Sequence, residues 1–209
     1  MNLTVVTHTA GDRPDLLERA KASVPAWAKH EVIEVHGSHR DWAQARLEAL
    51  KLNEYVAFLD DDDVLNGQAL KSCLDALEGQ ALAFTDEEQI TMRGEVLAVS
   101  NRSKVWYEHL VLSPRTIHHL AVIRGEVVKG LEPVLDRTAG IGVDWLIRVA
   151  AAEHGAKYVP EVGYKWTRHR GQMCETHAPS NEQYLELRKA MLKLLTKNGP
   201  IGHYGYANH

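Results

Sequence analysis

The sequence predicts an α/β fold in which a central, mostly parallel sheet carries helices on both faces. Three observations predict it. Short apolar, β-branched runs alternate with stretches of helical periodicity from residue 3 to residue 85, in the order β-α-β-α-β-α-β that a parallel sheet requires. The first three runs end abruptly in polar residues, at Thr7-His8-Thr9, at His36 to His39 and at Asp60 to Asp63. Open parallel sheets bind ligands at the carboxyl ends of their strands. The chain has 209 residues, 44% hydrophobic and 25% charged, which suits a single domain with a substantial core.

Leu3 to Thr9 is short and continuously apolar enough for a buried strand. Gly11-Asp12-Arg13-Pro14 breaks it. Pro14 suits the first turn of a helix whose apolar face is Leu16, Leu17, Ala20 and Val24. Glu31 to His36 reads as a second strand, ended by Gly37-Ser38. Asp41 is placed to cap a helix carrying Ala45, Leu47 and Leu50. Tyr55 to Leu59 is a third strand, Leu70, Cys73, Leu74 and Leu77 mark another helix, and Ala81 to Thr85 is a fourth strand.

The second half is less regular. Leu120 to Arg124 suits a strand. Gly142 to Glu153 suits a helix with Trp145, Leu146, Val149 and Ala150 inward, and Tyr158 to Trp166 is extended. Ser180 followed by Gln183 is a capping-box pattern. It opens a last helix with Tyr184, Leu187, Met191, Leu194 and Leu195 on one face, and Gly199 to His209 reads as an irregular tail. The expected organisation is one domain over residues 1–209. A nucleotide-binding half covers about 1–95, an acceptor-side half about 96–175, and a helix with a tail about 180–209.

A formal net charge of −4 argues against a surface that grips nucleic acid throughout. No apolar run approaches the ~20 residues of a membrane span. The N-terminus lacks the basic start of a signal peptide, and two cysteines, Cys73 and Cys174, suggest no oxidised scaffold. A reducing cytoplasm is the expected location.

Asp60-Asp61-Asp62-Asp63 directly follows an apolar strand. Aspartate suits turns and helix caps, yet four in a row need a further reason. Like charges ~4 Å apart repel by about 1 kcal/mol even in water. A divalent cation relieves that repulsion. Mg²⁺ or Mn²⁺ suits carboxylates, and binds through one or two of them plus substrate phosphates. The turn is therefore expected to hold a diphosphate and its metal, with one or two aspartates on the ion and the others on the ribose or the following helix.

The stretch Asn53 to Asp63 resembles the strand and DxD motif of family 2 glycosyltransferases, which have the GT-A fold. Val5-Val6-Thr7-His8 with Arg13-Pro14-Asp15-Leu16-Leu17 resembles that family's first strand and helix. Ala45 to Leu50 resembles its next helix, with Leu47 where asparagine is common. Phe84-Thr85-Asp86 resembles a further strand end, Gly142 to Arg148 the helix of the catalytic base, and Tyr164 to His169 the segment ending in histidine. These matches run in order over residues 3 to 175.

The resemblance implies roles residue by residue. Thr7 and Thr9 would line the base pocket, and Arg13 would reach the base or the diphosphate. The acidic contact to the base falls between Ser38 and Asp41. Asp62 would touch the metal directly, Asp60 would be shared between ribose and metal, and His169 would be a further metal ligand. Arg168, beside Lys165 and Arg170, would close over the diphosphate. Asp144 would be the catalytic base, although Val143 stands where the family has a supporting glutamate. An aspartate in the first turn of a helix is also favoured by the helix dipole alone. Zinc at Cys174, His177 and His169 lacks the usual four-ligand spacing. His118 and His119 suit surface or core as well as ligand contacts. Trp106, Trp145 and Trp166 suit either a sugar-stacking surface or the core.

The expected activity is transfer of a sugar from a nucleoside diphosphate sugar, a UDP-sugar above all, with inversion. The acceptor would be a glycan, lipid, protein or modified nucleic acid. The alternatives are a nucleotide-sugar-binding protein without transfer, and a nucleotidyltransferase. Thr9 to Pro14 carries a single glycine, against the Gly-rich basic loop that a nucleotidyltransferase would bring.

Overall fold

A computed structural model describes residues 2–100, 117, 120–128, 130–170 and 180–197. Cys174, His177, His118, His119, Trp106 and the tail from Gly199 lie outside the described residues. In chain order the elements are β1 (Leu3–Thr9), α1 (Pro14–Ser23), β2 (Lys29–Glu34), α2 (His39–Leu52), β3 (Tyr55–Asp60), β4 (Val64–Leu65) and α3 (Gly67–Asp75). There follow β5 (Leu82–Thr91), β6 (Val96–Ser100), β7 (Ala121–Arg124), a 3₁₀ turn at Gly125–Val128, α4 (Glu132–Thr138), α5 (Val143–Ala152), β8 (Ala156–Arg168) and α6 (Asn181–Lys197).

The strands join one eight-stranded sheet in the order β2-β1-β3-β7-β5-β8-β4, with β6 on the side of β5. β1, β2 and β3 are parallel, as are β5 and β8. β7 runs antiparallel to both β3 and β5, so those two strands point the same way without touching. Five strands therefore share one direction, and β4, β6 and β7 oppose it. The fourth expected parallel strand is separated from the third by a strand from the second half of the chain.

Helices cover both faces. Val6, Val56, Phe58, Leu82, Phe84 and Ile123 pack against Leu47 and Leu50 of α2, Trp145, Leu146 and Val149 of α5, and Leu187 and Met191 of α6. Val5, Tyr55, Ala57, Leu59 and Val122 pack against Ala20 of α1 and Leu70, Cys73 and Leu74 of α3 on the other face. Burial of this kind is worth about 25 cal/mol per Å² of apolar surface. Trp145 is core, edge-on to Tyr184 at 6.3 Å between ring centres. Cys73 is a buried free thiol whose pKa burial pushes up to about 12, a filler rather than a nucleophile.

Two local features bring the strand ends together. Asp63 N donates to Asp60 O at 3.2 Å, which closes a tight turn between β3 and β4. β8 pairs with β4 at Tyr164 and Lys165 and with β5 along its whole length. Its register slips between Thr85 and Glu87, where Pro160-Glu161 and then Gly163 are extra residues on β8. Proline lacks a ladder donor, so a bulge tolerates it. An added Cβ at Gly163 would overlap Thr85 and Leu120, so only glycine lets β8 approach there. The slip turns Tyr164 inward beneath the aspartate turn, where its hydroxyl accepts the Asp60 amide at 3.0 Å. No described helix is long and apolar enough to cross a membrane.

Candidate active site

The four aspartates divide between two clusters and the core. Asp63 is buried. Its Oδ1 accepts the Thr167 amide at 2.7 Å, and Tyr164 also bonds it. Burial, and then the neighbouring Asp60 and Asp62 charges, push its carboxyl well above the usual range. Asp63 is thus a structural clamp between the turn and β8. Helix α3 is capped by Asn66 instead, whose side chain accepts from Gln68 N at 3.0 Å and donates to Val162 O at 2.9 Å.

Thr9, Arg13, Asp61, Asp62 and His169 form the first cluster. Thr9 Oγ1 donates to Asp61 Oδ2 at 2.6 Å and accepts from Gly11 N at 3.0 Å. Arg13 reaches Asp61 Oδ1 at 2.9 Å and Asp62 Oδ2 at 2.5 Å. Burial by itself would lower this guanidinium's pKa, but Asp61 and Asp62 raise it overall. His169 Nε2 lies 2.8 Å from the same Asp62 oxygen, and its Nδ1 lies 2.9 Å from Arg170 O. Arg19 Nη2 donates to Asp62 O and to Thr167 Oγ1, each at 2.6 Å, and so pins β8 against the turn. Arg13, at the N-cap of α1, thus compensates carboxylates that would otherwise repel one another.

Asp60, Arg46 and Asp144 form the second cluster. Arg46 of α2 donates from Nη2 to Asp60 Oδ1 at 3.1 Å, and its Nη1 is ion-paired with Asp144 Oδ1 at 3.0 Å, a buried oxygen that forms no well-aligned hydrogen bond. Its Cζ lies 4.8 Å above the centre of the Phe58 ring. Burial would lower this guanidinium too, but Asp144 and Asp60 raise it overall. Asp144 sits in the first turn of α5, after Gly142 with φ +73°. Arg148 donates to Ile117 O at 3.2 Å from the same helix. His8 lies beneath, with both ring nitrogens buried and lacking a well-formed hydrogen bond. Burial, reinforced by Arg46, pushes it down to about 4, opposed by Asp144 and a loose approach to the Ala45 backbone.

Two of the expected site residues stand apart. Thr7 is fully buried, with its hydroxyl 3.0 Å from His30 Nε2, and presents no surface to an open pocket. Arg168 lies with Cζ 4.8 Å over the Trp166 ring. Asp41 faces Ser38, whose amide and hydroxyl donate to it at 2.7 and 2.8 Å, and so caps α2. The sequence reading gave no role to Arg19, Arg46, Tyr164 or Thr167. Arg46 stood in plain view within Ala45 to Leu50, but its partners are 14 and 98 residues away along the chain.

Among the described residues no group of three or more His, Cys, Asp or Glu side chains converges as a metal site. What does converge is one carboxylate oxygen and one imidazole nitrogen, at Asp62 and His169.

No protein-family model matches the chain, and no curated protein matches it. The architecture is nonetheless a GT-A-like α/β fold, with its mixed sheet and two helical layers. The likeness is to solved structures of TarS from S. aureus. Residues 1–349 of TarS in complex with UDP-GlcNAc align with a TM-score of 0.61 at 14% identity, covering 93% of this chain and 66% of that one. The same segment in complex with UDP gives 0.60 at 13%, covering 93% and 65%. A longer TarS structure gives 0.58 at 14%, covering 93% and 40%. At such identities the likeness is one of fold. The chain spans slightly less than two thirds of the 1–349 segment.

Proposed function

We propose that this protein transfers a sugar, with inversion, from a nucleoside diphosphate sugar to an acceptor hydroxyl on a glycan, lipid, protein or modified nucleic acid. UDP-sugars are the favoured donors. The observation that carries this reading is the joining of two clusters through one turn: Asp62 with His169 on one side, and Asp60 bridged by Arg46 to Asp144 on the other. The fold's likeness to a protein solved with UDP-GlcNAc and with UDP supports the choice of donor.

Asp62 Oδ2 and His169 Nε2 would hold Mn²⁺ or Mg²⁺, with the diphosphate supplying further oxygen ligands. When bound, the ion supplies charge neutralisation to the departing diphosphate. Arg13, already shared between Asp61 and Asp62, would turn to the same phosphates. Asp60 holds the ribose side. Asp144 takes the proton of the acceptor hydroxyl as its oxygen bonds to the anomeric carbon and the bond to the diphosphate breaks. Val143, in place of a carboxylate neighbour, leaves binding without transfer as the rival reading.

UDP with Mn²⁺ is expected to raise the melting temperature, by about 2.7 kcal/mol of stability at 100 times its dissociation constant. Asp62→Asn is expected to lose the Mn²⁺-dependent part of that gain. Unchanged calorimetric affinity in Asp62→Asn would remove the metal assignment. Asp144→Asn is expected to slow UDP release roughly 100-fold or more, with UDP affinity and melting temperature near wild type. Binding of UDP-sugar with no UDP released by the unaltered protein would favour the rival.

A further inference from the structure

We propose that Arg46 is a positioning residue that sets the candidate base Asp144 in a fixed relation to the donor-side Asp60. The inference rests on the transfer reading above. The geometry that carries it is a single planar guanidinium between carboxylates of two separate elements, the end of β3 and the first turn of α5. The guanidinium is fixed by its hydrogen bond to Asp60, and its other Nη group holds Asp144 by charge, so the two partners are tied to each other through one rigid plane.

The exposure pattern distinguishes this bridge from a plain stabilising ion pair. Arg46 has a side-chain exposure of 11%, whereas Asp60 and Asp144 have 42% and 39%. The cation is buried and braced by the Phe58 ring, while each carboxylate keeps an open side toward solvent, where donor and acceptor arrive. Burying a guanidinium is costly unless it is fully paired. Arg148, whose Nη1 is tied to Ile117 O, adds a second cation near Asp144. His8, uncharged at neutral pH, adds none beneath them. Arg46 therefore acts through Asp60 and Asp144, and it does not touch the reacting atoms.

The test combines structures with kinetics. In crystals of Arg46→Gln the Asp144 carboxylate is expected to leave its wild-type orientation. Retention of that orientation overturns the inference, whatever the rate. UDP release from UDP-GlcNAc with Mn²⁺ is then measured in four proteins: wild type, Arg46→Gln, Asp144→Asn and the double variant. Arg46→Gln is expected to lower kcat about tenfold or more, with far less change in UDP affinity, yet to lower the rate of Asp144→Asn by no more than about twofold. Fully additive losses overturn it.

Arg46→Lys keeps the charge but reaches only one carboxylate, and it serves where Arg46→Gln does not fold. A wild-type kcat in Arg46→Lys would mean that charge alone is needed, and this too overturns the bridging role. Absence of UDP release from the wild type is a failure of the transfer reading. In that event the crystal comparison alone decides whether Arg46 orients the pair.

Discussion

His8 carries an imidazole into the core beside Arg46, Trp42 and Phe58, with its pKa pushed from 6.5 to about 4. The unfolded chain therefore takes up this proton more readily than the folded one. Its contribution is fully present above pH 6.5 and is lost as pH falls from there toward 4. Asp61 and Asp63 act oppositely, because burial raises both, and protonating them as pH falls favours the fold. The His8 part is isolated by comparing wild type with His8→Gln in denaturant titrations at pH 7 and pH 5. The wild type is expected to lose about 2 kcal/mol more than the variant between those values. An equal loss in both proteins would place the acid sensitivity elsewhere.

At the scale of elements, the bulge of β8 decides where Tyr164, Thr167 and His169 point. Gly163→Ala would force the added methyl against Thr85 and Leu120. It is expected to destabilise the fold by roughly 1–3 kcal/mol, the usual cost of overpacking. It should also weaken UDP–Mn²⁺ affinity, because Tyr164 supports the Asp60 amide. Melting curves beside calorimetry check both; a stability loss with unchanged affinity would uncouple the bulge from the turn. The first three strands and helices α1 to α3 were legible because continuous apolar runs and flanking breakers mark buried parallel strands. The capping box of α6 was legible as well, and Ser180 and Gln183 exchange the expected bonds at 2.8 and 3.2 Å. The continuation of β5 through Asp86 to Thr91 was not. Its acidic run looks like a strand end, and only pairing with β8, where Lys165 faces Glu88 at 3.7 Å, keeps it extended. β4, β6 and α4 were missed for a related reason. Two-residue β4 has no pattern of its own, and Val96, Leu97 and Val99 of β6 are exposed on both faces of a hairpin, so they carry no period. In the site, the aspartate turn was readable from local charge. The sorting of its four carboxylates was not, because Arg13, Arg46 and Thr167 reach them only through the tertiary fold.

Across the whole molecule, the C-terminal helix supports the site from behind. Leu187 and Met191 of α6 are fully buried against α5, and an added Cβ at Gly142 would strike Leu187. α6 thus sets the height at which α5 starts, and with it Asp144. Leu187→Ala is expected to cost about 2–5 kcal/mol, as large-to-small core changes do. It should also slow UDP release more than it weakens UDP binding, since Asp61, Asp62 and His169 lie on other elements. Equal losses in rate and affinity would mean that the cavity loosens the whole sheet. The insertion of β7 bears on the order of assembly. β1, β2 and β3 can pair soon after synthesis, because their connections are local. The gap between β3 and β5 closes only when residues 121–124 arrive, about 60 positions after β3 ends. Until then β3 and β5 each keep an unpaired edge, the kind of surface that recruits wrong partners. Pairing β7 with both strands is a long-range step in refolding. A nascent chain stalled before residue 121 would have every aspartate of the turn already made and no sheet wide enough to hold them in place.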